Sequence, residues 1–271
     1  MVQPEANVVI FMTCSALSNL GNFTNSASYY GDRPRYDPKV LDMLSLLIRN
    51  CFPNPAVADV GAGTGLLTRE LAARAFAGTA IEPNDTMRQE GIRHSESGFP
   101  FRWLHGSGEA TGLADQSIDW LLMGNAFHWT DMDAALREFR RVLTPGGFFT
   151  PIWVMLDTEY DPTVQSIDHL LSETVPSFSR HSDVVLEFIN NLGAATSDFS
   201  EHRIFLDSRH SEVMSKDRYL NMWRSRNDLQ SALNAQEWDS AIQRISGLLI
   251  EDRVVLKLRT YTWIFGQGVS D

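Results

Sequence analysis

The run Val57-Ala58-Asp59-Val60-Gly61-Ala62-Gly63-Thr64-Gly65 constrains the fold more than any other stretch of the chain. A short apolar segment preceded by Pro53 and Pro55 has the pattern of a parallel strand buried on both faces, and the alternate glycines after it mark a tight turn. A helix is predicted from Leu66 to Arg74, so strand, turn and helix follow one another without a linker. Glu82 closes the next predicted strand, Gly78 to Ile81, twenty-one positions after Gly61. A carboxylate at that strand end accepts both hydroxyls of a ribose, and glycines at 61, 63 and 65 let a ligand approach the backbone closely. Together these features predict an adenosine-type ligand at the carboxyl end of a parallel sheet.

A dinucleotide requires a small third residue where the pyrophosphate meets the helix terminus, and Leu66 stands in that place. A nicotinamide oxidoreductase is therefore disfavoured. A sulfonium amino acid instead needs an acid near its ammonium group, which Asp59 supplies beside the turn.

The alternation continues along the chain. A helix is predicted from Pro38 to Arg49, capped by Asp37, and another from Thr86 to Arg93. Strands are predicted at Phe101 to Leu104 and Ile118 to Met123, then a helix from Asp133 to Leu143 and a strand from Phe148 to Met155. Strands alternating with helices imply right-handed crossovers and a sheet covered on both faces. The expected fold class is α/β, a Rossmann-like, doubly wound, mostly parallel seven-stranded sheet. Beyond Asp157 the rhythm changes to helices at Thr163 to Thr174, His181 to Leu192, Lys216 to Arg224 and Ala235 to Leu249, with strands at His202 to Asp207 and Arg253 to Phe265. These helices read as a cap inserted among the late strands, over the carboxyl edge of the sheet. The expected organisation is an N-terminal arm and lid over 1–36, a ligand-binding core over 37–157, a helical substrate cap carrying one core strand over 158–250, and a closing core strand over 251–271.

Composition narrows the partners. Among 271 residues, 23 Lys and Arg face 34 Asp and Glu, a net charge of −11 that repels a phosphate backbone or an anionic bilayer surface. Nucleic acid and membrane are thus excluded as expected partners. Two cysteines, Cys14 and Cys51, make neither a disulfide framework nor a zinc motif, and no histidine cluster implies a metal. No Lys or Arg precedes Arg33, so a signal-peptide n-region is missing and the expected location is cytoplasmic.

Several stretches in order carry a resemblance: Ala27-Ser28-Tyr29-Tyr30-Gly31-Asp32-Arg33-Pro34-Arg35-Tyr36, the glycine turn, Glu82-Pro83-Asn84-Asp85-Thr86-Met87 and Gly108-Glu109-Ala110-Thr111-Gly112-Leu113. Ser117-Ile118-Asp119, Ala126-Phe127-His128-Trp129 and Arg141-Val142-Leu143-Thr144-Pro145-Gly146-Gly147 complete it. Over residues 27 to 150 the chain resembles the class I S-adenosylmethionine-dependent methyltransferases, most closely the small-molecule branch that includes the trans-aconitate methyltransferases. The resemblance implies S-adenosylmethionine as cofactor, with Gly61, Ala62, Gly63 and Gly65 around the methionine moiety, Glu82 with Pro83 at the ribose and Met87 against the adenine. It also implies Asp59 at the ammonium group, Arg33 at the methionine carboxylate, and Tyr30 and Asn125 along the cofactor. Where the family often has Asp for the adenine amino group, this chain has Ser107 and Gly108, which leaves that contact to Ser107, Glu109 or a backbone carbonyl.

Methyl transfer to a sulfonium-activated carbon is an in-line displacement, so positioning supplies most of the acceleration, and a base is needed only for a protonated nucleophile. His128 is the candidate base and Trp129 the candidate wall for the methyl donor, through a cation–π contact. Tyr29, Tyr30 and Tyr36 around Arg33 and Arg35 suit a lid, and Trp153, Tyr160, Met222, Trp223 and Arg224 are the cap residues expected to face an apolar acceptor. The expected activity is methyl transfer to O, N or C of a small metabolite or natural-product acceptor. Its alternatives are carboxyl methylation of a trans-aconitate-like acid and non-catalytic binding of S-adenosylmethionine.

Overall fold

The computed structural model describes residues 26–174, 181–197, 199–200 and 202–267. Residues 1–25 of the expected arm and lid lie outside them, and Cys14 with them. Parallel strands β1 (Val57–Val60), β2 (Gly78–Ile81), β3 (Phe101–Leu104), β4 (Ile118–Gly124) and β5 (Leu143–Leu156) join β6 (His202–Ser215) and β7 (Arg253–Gly266) in one seven-stranded sheet. Its order is β3-β2-β1-β4-β5-β7-β6, with β5 to β7 and β7 to β6 antiparallel. The doubly wound, mostly parallel sheet expected from the sequence is present, and its last two strands turn back as a long hairpin-like pair.

Helices α1 (Ala27–Tyr30) and α2 (Pro38–Cys51) precede the sheet. Pro38 opens α2 with its φ already helical, and the Asp37 carboxylate accepts from the Lys39 N–H at 2.9 Å. Val40, Leu41, Leu44 and Ile48 then fall on one stripe, which is buried against Val57, Trp120, Leu122 and Ile152 of the sheet. Helices α3 (Leu66–Ala73), α4 (Asp85–Arg93) and α5 (Met132–Val142) follow β1, β2 and β4. On the α5 side, Phe139 and Val142 pack with Phe127, Phe149 and Phe265 in a second apolar layer.

The late segment divides differently from the sequence expectation. Of the helices assigned to the cap, α7 (His181–Ala195) lies in the core of the sheet itself. Its Val185, Ile189 and Leu192 recur at helical spacing and bury against the layer holding Phe149, Trp153 and Phe265, the largest apolar surface within reach. Helices α6 (Pro162–Thr174), α8 (Lys216–Arg224), α9 (Asn227–Ala232) and α10 (Ala235–Leu248) form the separate body. They pack Ile167, Leu171, Tyr219, Trp223, Trp238 and Ile242 against Met214 of β6 and Leu256 and Leu258 of β7. This is possible because β6 runs to Ser215 rather than ending at Asp207. The β6–β7 ladder continues to Ser215 opposite Arg253, while β5 pairs with β7 only as far as Leu156 opposite Leu258. The extension projects past the carboxyl end of β5 and gives the late helices their floor.

Asp37 ties α2 to the β6–β7 pair as well as capping it. Its Oδ2 accepts from Ser208 Oγ at 2.6 Å and its N–H donates to Thr260 Oγ1 at 3.2 Å. Asp37→Ala should therefore cost about 2 to 4 kcal/mol in urea unfolding, the sum of a lost helix cap and a lost hydrogen bond to a buried charge.

Candidate active site

The carboxyl ends of β1, β2 and β4 and the segment after α1 enclose a cavity of about 370 Å³. The turn after β1 forms its floor. Gly61, Gly63 and Gly65 have φ of 68°, 59° and 82°, a region that side-chain-bearing residues rarely occupy. At Gly61 a Cβ would also lie 2.7 Å from Ala126 Cβ, so the turn and the exit of β4 touch only because no side chain intervenes.

Asp59 stands on β1 immediately before the turn, fully buried. Its Oδ2 accepts from Thr68 Oγ1 at 2.5 Å, whereas its Oδ1 is buried with no hydrogen-bond partner. Burial raises the Asp59 carboxyl to about 7 against the opposing Thr68 bond, and the neighbouring Glu82 carboxylate adds to the rise. An unpartnered buried carboxylate oxygen is costly, and a cationic group in the cavity would relieve it. Glu82, on the next strand end, uses each oxygen once: Oε2 accepts from the Gly63 N–H and Oε1 from the Asn84 N–H, both at 2.8 Å. Each oxygen retains acceptor capacity. Burial pushes this carboxyl up as well, against those two bonds.

The remaining predicted residues separate into those at the cavity and those elsewhere. Tyr30, Arg33, Asp59, Gly61, Ala62, Gly63, Glu82, Pro83, Met87, Ser107, Gly108, Glu109, Asn125 and Trp129 all line it. Gly65 does not: a Cβ there would meet the Trp103 ring at 3.1 Å and Arg69 Nη1 at 3.2 Å, so its missing side chain makes room for Trp103. Arg33 lines the wall, but its Nε and Nη2 donate to Ser225 Oγ and O at 2.9 and 3.0 Å. Its guanidinium also lies 4.4 Å from the centre of the Tyr30 ring. Glu109 Oε1 is engaged by the Asp131 N–H at 2.8 Å.

His128 is not among the lining residues. Trp153 Nε1, which can only donate, reaches His128 Nδ1 at 3.1 Å. The neutral imidazole therefore carries its hydrogen on Nε2, and neither nitrogen is free to take a proton from an acceptor while that bond holds. The five residues expected to face the acceptor are also elsewhere: Trp153, Met222 and Trp223 are buried in the two apolar layers, Tyr160 lies under Arg209 at the surface, and Arg224 donates to Asn221 Oδ1. Large apolar and aromatic residues at helical or strand spacing went into packing, which that spacing equally predicts.

Leu66, Leu67, Asn84, Met123, Gly124, Ala126 and Thr130 also line the cavity, though the sequence placed none of them at a ligand. Each lies within two positions of a predicted site residue, and that closeness was the only signal. Tyr36, read from sequence as part of a lid, is nearly fully buried and lines the cavity beside Asn125. Asn125 adopts φ 51°, which aims its Oδ1 at the Val154 N–H at 3.0 Å and its Nδ2 at Tyr36 Oη at 3.4 Å. Burial, with Tyr30 and Asp59 adding, holds the Tyr36 phenol well above its usual value, so it remains protonated.

A glycine turn at the centre of a Rossmann-like sheet, with an acid on the neighbouring strand end, is an arrangement that can take a nucleoside at the carboxyl edge of the sheet. Residues 58–150 match the family model described as a methyltransferase domain. An uncharacterised methyltransferase of Mycobacterium tuberculosis is 34% identical over 146 residues, covering 52% of this chain and 56% of that protein. An uncharacterised methyltransferase of Schizosaccharomyces pombe is 30% identical over 156 residues, covering 55% and 58%. The chain thus spans a little over half the length of these relatives. A solved structure described as a type II methyltransferase from Anaeromyxobacter dehalogenans shares the fold, with a TM-score of 0.55 and 18% identity over 88% of this chain and 98% of that one. Among the described residues no helix is long and apolar enough to cross a membrane.

The raised Asp59 value sets a pH dependence. Between its ordinary 3.8 and about 7 the folded chain keeps a proton that the unfolded chain has released. The stability linked to that proton is therefore full below about pH 4 and is lost as pH rises through about 7. Asp59→Asn should flatten this decline by a few kcal/mol, read as urea midpoints at about pH 5 and pH 8.

Proposed function

We propose that this chain is an S-adenosylmethionine-dependent methyltransferase acting on a small-molecule acceptor. The observation that carries the reading is Asp59: a fully buried carboxylate with one bare oxygen, in a cavity built around a glycine turn. A nucleotide phosphate would be repelled there, while the ammonium group of a methionine moiety supplies the missing partner. The donor set fits the rest of the cofactor. Glu82 would hold the ribose hydroxyls with its remaining lone pairs, Gly61 to Gly63 would lie along the methionine backbone, and Met87 with Ser107, Gly108 and Glu109 would enclose the adenine. The cofactor supplies a methyl group activated by a sulfonium, and this chain's residues bind it, orient it and keep water from it. Trp129, in the cavity wall, would face the sulfonium through a cation–π contact.

The His128–Trp153 bond bears on the acceptor. With its Nδ1 accepting from Trp153, a structural role at the exit of β4 is better supported for His128 than that of a base. This favours an acceptor whose nucleophile is already ionised near neutral pH, of which a carboxylate is the simplest, and it supports the carboxyl-methylation alternative. An uncharged hydroxyl acceptor would need its proton removed by another group.

Calorimetric titration with S-adenosylmethionine tests the assignment. Glu82→Ala should weaken binding by roughly 1.5 to 3 kcal/mol, the range for hydrogen bonds to a charged acceptor, and Gly63→Arg should abolish it by filling the cavity floor. Unchanged affinity in both variants would refute the cofactor reading. For the acceptor, single-turnover rates of His128→Gln across pH should stay within about threefold of wild type and show no pH trend. A steep loss that shrinks as pH rises would restore His128 as the base and exclude a carboxylate.

A further inference from the structure

The cavity wall made by Tyr30, Arg33 and Tyr36 precedes α2 in sequence, yet its segment is held by the late strands and α8. Asn221 Nδ2 donates to Asp32 Oδ2 at 2.8 Å, and Arg33 reaches Ser225 at the end of α8. The decisive contacts straddle Pro34. Proline has no N–H to give a ladder, and residues 34–37 form no strand, so the chain here has no sheet neighbour to hold it. Instead Arg218 Nη2 donates to the Arg33 carbonyl at 2.9 Å, and Glu212 Oε2 accepts from the Arg35 N–H at 2.9 Å. Arg218 and Glu212 are themselves joined, Nη1 to Oε1, in a partly buried ion pair. One charged pair thus fills the donor and acceptor positions that a neighbouring strand would offer.

We propose that Glu212 and Arg218 are positioning residues for the ligand cavity: they clamp the backbone on both sides of Pro34 and so hold Tyr30, Arg33 and Tyr36 in its wall, although neither side chain lines the cavity. The clamp makes the wall part of the late body. Together with the Asn221–Asp32 and Arg33–Ser225 bonds, these two backbone hydrogen bonds couple the wall to α8 and to the β6 extension. The affinity part of this inference rests on the cofactor reading above; the clamp itself does not.

Two measurements on the full chain separate the two. Trypsin does not cleave the Arg33–Pro34 bond but cleaves after Arg35 once that segment opens, which mass spectrometry follows without any ligand. Glu212→Ala and Arg218→Met should hasten cleavage after Arg35 about tenfold and weaken binding of S-adenosylhomocysteine by about the same factor, with thermal midpoints near wild type. Glu212→Gln keeps the acceptor for the Arg35 N–H, so it should stay within about threefold of wild type, a rescue that a purely structural role of the charge would not give. If either truncation fails to fold, Arg218→Gln takes its place with the same expectation. Wild-type cleavage rates in the folded truncations, or Glu212→Gln as impaired as Glu212→Ala, would overturn the clamp. A wild-type chain that binds no S-adenosylhomocysteine would overturn the cofactor reading instead, and the cleavage rates would still decide the clamp.

Discussion

The bare oxygen of Asp59 is the constraint around which the rest of the molecule is arranged. A carboxylate at the centre of a parallel sheet loses its hydration, and Thr68 replaces only part of it. Asp59 lines the cavity, where a bound cationic group would supply the remaining partner. The same cavity is shaped by the left-handed turn at Gly61 and Gly63, the closeness of Ala126, and Glu82 accepting from the Gly63 N–H. Burial, with the nearby Glu82 carboxylate adding to it, raises the Asp59 carboxyl to about 7, which is why the site responds to pH near neutrality.

A second dependence runs from the far end of the chain. The β6–β7 pair overshoots β5, and the overshoot carries both the late helical body and the side chains that hold the segment around Pro34. One cavity therefore has walls from two sources: a rigid floor from β1, β2 and β4, and a wall hung on β6 and α8. Such a division leaves the floor to the parallel strands and the hung wall to the late body, in keeping with the way α/β folds vary by what is added at the carboxyl edge of the sheet.

The core of the fold was legible because its signals are local. A four-residue apolar run cannot be solvated, a glycine turn cannot continue a strand, and α2 carries its cap, its proline and its apolar stripe within fifteen positions of each other. The residues expected at the cofactor, all but Gly65 of which line the cavity, shared that legibility, since most sit at strand ends or turns whose place is fixed once the strands are fixed. The residues expected at the acceptor lie elsewhere for the converse reason. Trp153, Met222 and Trp223 are large and apolar, and that property drives a side chain into whichever core is nearest. The apolar stripe of α7 likewise announces burial and says nothing of which surface will bury it.

Sequence by itself determined the parallel sheet, its glycine turn and the pair of acids at the strand ends, because each depends on residues adjacent in the chain. Tertiary structure alone decided the hydrogen-bonding state of individual atoms. That Trp153 would occupy His128 Nδ1, that Arg33 would spend two donors on Ser225, and that Glu212 and Arg218 would close on the backbone around Pro34 are contacts across 25, 192 and about 180 positions. A side chain's chemistry is set by the partner it meets, and at such separations that partner is chosen by how the layers pack, which no local pattern encodes.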